Sequence, residues 1–517
     1  MEHPEMVLSW PYQSTPYLSA LPGVAGPGLD VSAGDRPSKL YFITSYDDTN
    51  EGGPDARGPN CYSGTARYCW GADQGEGFHK YIFPLIGGYI NLGRVILTPA
   101  GRGNMDYIGQ AAPGAGLFFQ TTALSLNGGS NMRVWHLPSW VGDMPSAEGV
   151  TNFHAGNRDA LQAGRDGYVA KGCAFINCEA RFSMDEGVQA FYAVEGISWI
   201  RGAIYDPLHI PPEFGDPDTP NHEPGTDHGY GHLIGGSDYC DFSLVSQSLY
   251  AHTTDRNPLV AANNHAHVNV LHYDHGRPDI AAGRGLNVSD NGEFNESFGK
   301  SMQCNMVGCV SVRGPNNNDS LTFARVTNAL PEHSTGHAAH NAQFGWDNPN
   351  SQDDFFTSKP EGYMQPTLRR SAWPAGMGAN YSGVYKPCAY PLNPTAAEGL
   401  NFAQLIRCTV GCKPARRYLY KGGINTVMDQ IDAAIRGVPS SGSQWVNTVA
   451  EAGGWPDMPR VSVDPANPGT EYPTPMPLGA DRDDVELAGV FANGASRTGY
   501  SRIRAWCIDK YFADMGR

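Results

Sequence analysis

Positive charge, charged residues in general, helical periodicity and long apolar runs are all scarce in this 517-residue chain. Lysine and arginine number 36 against 52 acids, a formal net charge of −16. That balance excludes a general nucleic-acid binder, which needs a basic face to release counterions from a phosphate backbone. It leaves room for an acidic ligand, because a bound divalent cation reverses the sign of a local site. No apolar run reaches the roughly 18 residues needed to span a bilayer. The opening MEHPEMVLSWPYQS has neither the basic n-region nor the apolar core of a secretory signal. The chain is therefore expected to be made in the cytoplasm, with no membrane partner. Its 11 cysteines include no CxxC pair, which reads as buried thiols rather than a zinc site or a disulfide framework. Cys304 with Cys309, and Cys408 with Cys412, are the pairs close enough in sequence to join under oxidising conditions.

What is present is turn chemistry and β-prone sequence. Gly 63 and Pro 39 are high, yet 40% of residues are hydrophobic and 11% aromatic, enough for a large core. Runs such as KLYFIT, KYIFPLIGGYI, GLFFQTTALSL, GYVAKGCAFINC, ISWIRGAIY, DFSLVSQSLY and HVNVLHYD are separated by Gly, Pro, Asn and Asp clusters. They recur at roughly 20 to 30 residues, as expected for a coil of parallel strands in which each turn buries its inner face on the next. A β-sandwich or propeller would show more two-residue hairpin signals than this chain has. The predicted fold is all-β: a right-handed parallel β-helix with a C-terminal helical and extended tail.

Helical signals appear only after residue 400. In GGINTVMDQIDAAIRG, the apolar residues Ile424, Val427, Met428, Ile431 and Ile435 share one face and Gly437 follows. This helix should lie along the side of the stack. Residues 461–480 read as a Pro-rich strap, and SRIRAWCIDKYFAD as a last helix with Ser501 as its N-cap. The expected division is an extended arm over 1–19, the β-helix with its peripheral helix over 20–460, and strap plus helix over 461–517.

The most unusual block is His228 to Gly276, rich in histidine and tyrosine where core sequence is normally apolar. With its surroundings it carries a family likeness. "ALPGVAGPG" and "KLYFITSYDD", then "IGQAAPGAGL", "FSMDEGVQAF", "HGYGHLIGG", "AHTTDRNPLV" and "AEAGGWPDMP" follow one another in the order of similar blocks in the pectate lyases. Over residues 20–460 the chain thus resembles polysaccharide lyase family one, as a divergent member. The resemblance implies a groove on one flank of the β-helix that binds an acidic, uronate-containing polysaccharide, and cleavage by β-elimination. In that reaction the weakly acidic C5 proton leaves to a base while positive charge stabilises the neighbouring carboxylate.

Carried over position by position, the resemblance makes Arg256 the catalytic arginine. Asp185, with Glu186 and Asp206, becomes a Ca2+ site. The arginine can also act as a carboxylate clamp, since guanidinium is an awkward base. His228, Tyr230, His232, His252, Asp255 and His265 are the expected substrate-binding residues, able to hydrogen-bond uronate oxygens. Two positions depart from the family pattern: Gln189 replaces a second calcium acid and Ala261 a second arginine. His265, His267, His272 and His275 are expected to form a ladder of stacked polar side chains rather than a transition-metal site. The alternative function is a non-catalytic β-helix of a phage particle (tail spike, fibre or capsid decoration). It would recognise surface glycans and use its termini to form a homo-oligomer or meet an assembly partner.

Overall fold

The computed structural model describes residues 38–55, 60–72, 77–144, 158–210, 228–235, 240–262, 264–276, 284–288, 303–317, 322–326, 335–339, 341–346, 395–412, 423–438 and 445–462. The expected N-terminal arm, most of the Pro-rich strap and the last helix lie outside them.

Described strands fall into three sheets of twelve, ten and eight. Each complete coil of the chain gives one strand to each sheet. Ala170–Ile176, Glu179–Arg181 and Glu186–Ala190 make one coil, and Val194–Ile200, Ala203–Tyr205 and Tyr230–Ile234 the next. Successive coils pair in parallel, Phe175 beside Trp199 and Ala180 beside Ile204. The architecture is the expected parallel β-helix. Among the described residues, no helix is long and apolar enough to cross a membrane.

Corners are sharp because single residues adopt the left-handed conformation there. Asn177, Arg201, Gln247 and Asn269 turn the chain from the twelve- to the ten-stranded sheet at φ 54°, 50°, 49° and 54°. Phe182, Asp206, His252 and Asp274 make the next corner at φ 56°, 48°, 58° and 48°. Each such residue costs about 1 kcal/mol, and the repetition from coil to coil keeps the strands in register.

Parallel register stacks equivalent positions into columns. Phe175, Trp199, Val245, His267 and Met306 form one, and Ala180, Ile204, Tyr250, His272 and Ser311 another. Both begin apolar and turn polar through the middle coils. There the imidazoles interlock: His232 Nδ1 lies 3.0 Å from the Tyr250 hydroxyl, and Ser243 Oγ 2.8 Å from His265 Nδ1. His267 Nε2 lies 2.9 Å from His272 Nε2, and the Tyr250 ring stacks on His272 with centroids 5.3 Å apart. The stacked ladder is present, but it is inside the coil.

Two helices and part of a strap cover the outer face of the ten-stranded sheet. Ala396–Thr409 starts at a reciprocal cap, with Thr395 Oγ1 accepting from the Glu398 N–H while the Glu398 carboxylate accepts from the Thr395 N–H. Ile424–Ile435 buries Ile424, Val427, Met428, Ile431 and Ile435, the set that its period predicts. At about 2 kcal/mol per side chain, that face contributes about 10 kcal/mol of burial. Farther on, Trp455 sits 5.5 Å from Tyr89 and from Phe182 by ring centroids, and Val461–Ser462 pairs with Ile86 and Gly87. The eight cysteines whose side chains are described are buried thiols, Cys304 and Cys309 included.

Candidate functional site

The site forms where the chain enters the eight-stranded sheet. Leu161 pairs with Val188, Glu186 with Tyr230, and Leu233 with Leu259. Carried back to the strand starts, this register puts Asp159, Glu186, Tyr230 and Arg256 on four successive rungs of one corner. Backbone bonds fix the alignment: Ala160 N–H to Glu186 O, Tyr230 N–H to Asp185 O, and His232 N–H to Arg256 O at 2.6 Å. The last contact requires a glycine. A Cβ on Gly231 would lie 2.4 Å from Asn257 Oδ1 and 2.5 Å from the Arg256 carbonyl oxygen.

Side chains on these rungs reach one another. Arg256 lays its guanidinium over the Tyr230 ring, 4.1 Å from the centroid, and passes on to an ion pair with Glu186. A cation on a ring face and a carboxylate at its tip hold it in one orientation. Burial lowers the Arg256 pKa, and Asp185 and Asp159 pull it back up, so the guanidinium stays charged. Asp185 Oδ1 accepts from His228 Nδ1 at 2.9 Å, with both side chains partly exposed. The His228 and Tyr230 rings are neighbours at 5.3 Å. Asp255 turns back on its own loop, its Oδ1 accepting from the Arg256 N–H.

Asp159, as fully buried as Glu186, escaped the sequence reading. Its Oδ1 accepts from the Glu186 N–H at 3.0 Å and its Oδ2 from Gln162 Nε2 at 2.7 Å. Burial first, and Asp185 next to it, push its pKa well above the usual carboxylate range. A signal was available: Asp159-Ala-Leu-Gln-Ala repeats the pattern of Glu186-Gly-Val-Gln-Ala one coil later.

The structure thus gathers Asp185, Glu186, His228, Tyr230, Asp255 and Arg256 and sets four other expected residues elsewhere. His232 and His265 are interior side chains, 1% and 0% exposed, because each alternates inward with the apolar residues of its strand. Burial drops both pKa values to about 3, so they are neutral core groups. His252 and Asp206 pair with each other at the preceding corner, His252 Nδ1 to Asp206 Oδ1 at 2.6 Å. Asp206 also binds buried Arg181 at 2.7 Å. Burial alone would raise its pKa; Arg181 and His252 hold it below the ordinary value. That carboxylate is committed to its neighbours and is not part of the acid group.

Among the described residues one set of acids approaches cation-site spacing: Asp159, Asp185 and Glu186, with oxygens within 4.8 Å of one another. Calcium takes six to eight oxygen ligands. Here both oxygens of Asp159 accept N–H groups, while Asp185 holds an imidazole and Glu186 a guanidinium. A calcium ion seated there would share its ligands with Arg256 and His228. This donor set does not fit a resident calcium ion.

Fold and corner together define a parallel β-helix protein with a charged, partly exposed site on one flank. No family model matches the chain, and no curated protein does. Among solved structures it is similar to a thermostable pectate lyase, PL 47, at 10% identity over 62% of this chain and 69% of that one, TM-score 0.38. It is also similar to pectate lyase Bsp165PelA from Bacillus sp. N165 in complex with trigalacturonate, at 13% identity over 68% and 94%, TM-score 0.39. A third is a pectate lyase from Xanthomonas campestris, at 11% identity over 75% and 98%, TM-score 0.37. Likeness at this level carries no functional conclusion.

Proposed function

We propose that the corner built from Asp159, Asp185, Glu186, His228, Tyr230 and Arg256 binds a uronate-containing polysaccharide and cleaves it by β-elimination, as a divergent relative of the pectate lyases. One observation carries this reading: the blocks "HGYGHLIGG" and "AHTTDRNPLV", which resemble that family, lie on adjacent rungs and present Arg256 over Tyr230, whose ring in turn neighbours His228. Arg256 supplies the fixed positive charge that a uronate carboxylate needs as charge develops at C5. Calcium, expected from the resemblance, has no step in the proposal.

The test is to incubate the purified protein with polygalacturonate and other polyuronates and follow the absorbance of the C4=C5 double bond. A rising signal in the parent and its loss in Arg256→Ala support the proposal. No product from any polyuronate, or full activity in Arg256→Ala, refutes it. The rival, a non-catalytic phage-particle protein, predicts glycan binding without unsaturated product, together with assembly into a larger particle.

A further inference from the structure

The eliminative reading leaves open which group takes the C5 proton and whether calcium takes part. On that reading, we propose that the base is His228, oriented by Asp185, and that the reaction needs no metal because Arg256 is the site's own fixed cation.

Three observations lead there. Arg256 is engaged at its tip by Glu186 and on its face by Tyr230, which suits a carboxylate clamp and works against proton abstraction. The acids that would hold calcium are taken by Arg256, His228 and two N–H groups. And the His228–Asp185 contact, 2.9 Å from Nδ1 to Oδ1, fixes the imidazole. A carboxylate oxygen accepts, so Nδ1 carries the proton, and in the neutral imidazole Nε2 then carries the lone pair. An acid that orients a histidine and selects its tautomer is the arrangement general bases use. His228 belongs to the strand start next to Tyr230 and is 14% exposed at its side chain. The imidazoles of the interior ladder, by contrast, are sealed in the core.

The step balances within the site. His228 Nε2 takes the C5 proton, and the C5–H pair becomes the C4=C5 double bond. The C4–O bond breaks with its electrons on the departing oxygen. The imidazolium then hands its proton to that oxygen, which restores the starting tautomer. Arg256 holds the C6 carboxylate throughout, stabilising the charge that the lost proton leaves there.

On a polyuronate that the protein cleaves, the rate should survive exhaustive EDTA treatment to within twofold. His228→Ala should lose on the order of 100-fold or more in kcat, and added imidazole should restore part of it. Arg256→Ala should gain nothing from imidazole. His228→Gln, which keeps a donor toward Asp185, controls for folding and should be as slow as His228→Ala. Loss of activity on chelation with recovery on adding calcium, or near-normal turnover in His228→Gln, would overturn the proposal.

Two readouts stand apart from turnover. 15N-histidine NMR, with the His228 signal assigned by its disappearance in His228→Gln, should show the Nδ1–H tautomer. In Asp185→Asn the amide can donate to Nδ1, and the tautomer should switch to Nε2–H. Calcium chloride alone at millimolar concentration should leave the melting temperature unchanged. An Nε2–H tautomer in the parent, or calcium stabilisation that vanishes in Asp185→Asn, overturns the assignment whether or not a substrate is in hand. Failure of every polyuronate to react, with the tautomer as expected and calcium inert, instead overturns the choice of polymer and leaves the dyad standing.

Discussion

Acidification from pH 7 to pH 5 should destabilise this protein through its interior histidines. His232 and His265 are fully buried with pKa values of about 3; burial, with His272, His265 and His232 beside it, drives His267 well below the ordinary value, and burial, with His275 beside it, does the same for His272. Folded-state values below the unfolded one mean that the unfolded chain takes up protons first. Stability is then complete above about pH 6.5 and falls as pH drops below it. Over this range each such imidazole costs about 2 kcal/mol, and four cost about 8 kcal/mol. Two carboxylates act in the opposite direction. Burial raises Asp274 to about 6 and Asp159 well above its usual range, so protonation favours the folded state at both, returning at most about 4 kcal/mol. The histidines win by about 4 kcal/mol, a large share of the roughly 5–15 kcal/mol that holds a typical domain folded. Urea denaturation followed by tryptophan fluorescence at pH 7, 6 and 5 should show the midpoint falling steadily. His265→Asn, which can still meet Ser243 Oγ, should recover about 2 kcal/mol of the loss, one proton's share. A midpoint flat between pH 7 and 5, or a His265→Asn profile parallel to the parent's, would refute the assignment of neutral imidazoles to the core.

Other perturbations separate site from scaffold. Gly231→Ala puts a methyl against the Arg256 carbonyl oxygen and should reduce polyuronate binding or cleavage more than tenfold while shifting the melting temperature by only a few degrees. Asp206→Asn removes the charge that neutralises Arg181, 1% exposed, and should cost about 3–5 kcal/mol in denaturant unfolding, whatever substrate is used. Burial lifts the pKa of Cys69, Cys173, Cys178 and Cys309 to about 12 and of Cys240 and Cys304 further. At least eight of the 11 thiols should therefore stay silent to a disulfide reagent until denaturant is added.

Much of the fold was legible because a β-helix repeats. Recurring runs with no helical period pointed to stacked parallel strands, and the helix over Ile424–Ile435 announced its buried face through spacing alone. The histidine block was harder. A period of two says that His265 and His267 share a face, but not whether that face is inside or outside. The resemblance put His265 among the substrate-binding residues; the columns place both within the coil, where Ser243 and a second imidazole meet their nitrogens. Asp206 was misassigned for a related reason. Its position one residue past a ten-stranded-sheet strand marks it as a corner residue, where its carboxylate meets His252, the equivalent corner residue one coil on.

The site itself shows what a single sequence conceals. From Asp159 to Glu186 to Tyr230 to Arg256 the chain covers unequal distances, one interval being much longer than the others, so no fixed spacing joins these residues. Parallel register removes that inequality. However long the excursion between strands, the next coil returns to the same hydrogen-bonding partners, and the residue that starts each eight-stranded-sheet strand lands one rung along from the last. A long side chain such as Arg256 can then cross one rung, stack on Tyr230 and reach the acid beyond it. Chemistry on this fold is therefore set by strand starts rather than by motif spacing, and comparing strand starts with one another would have picked out Asp159.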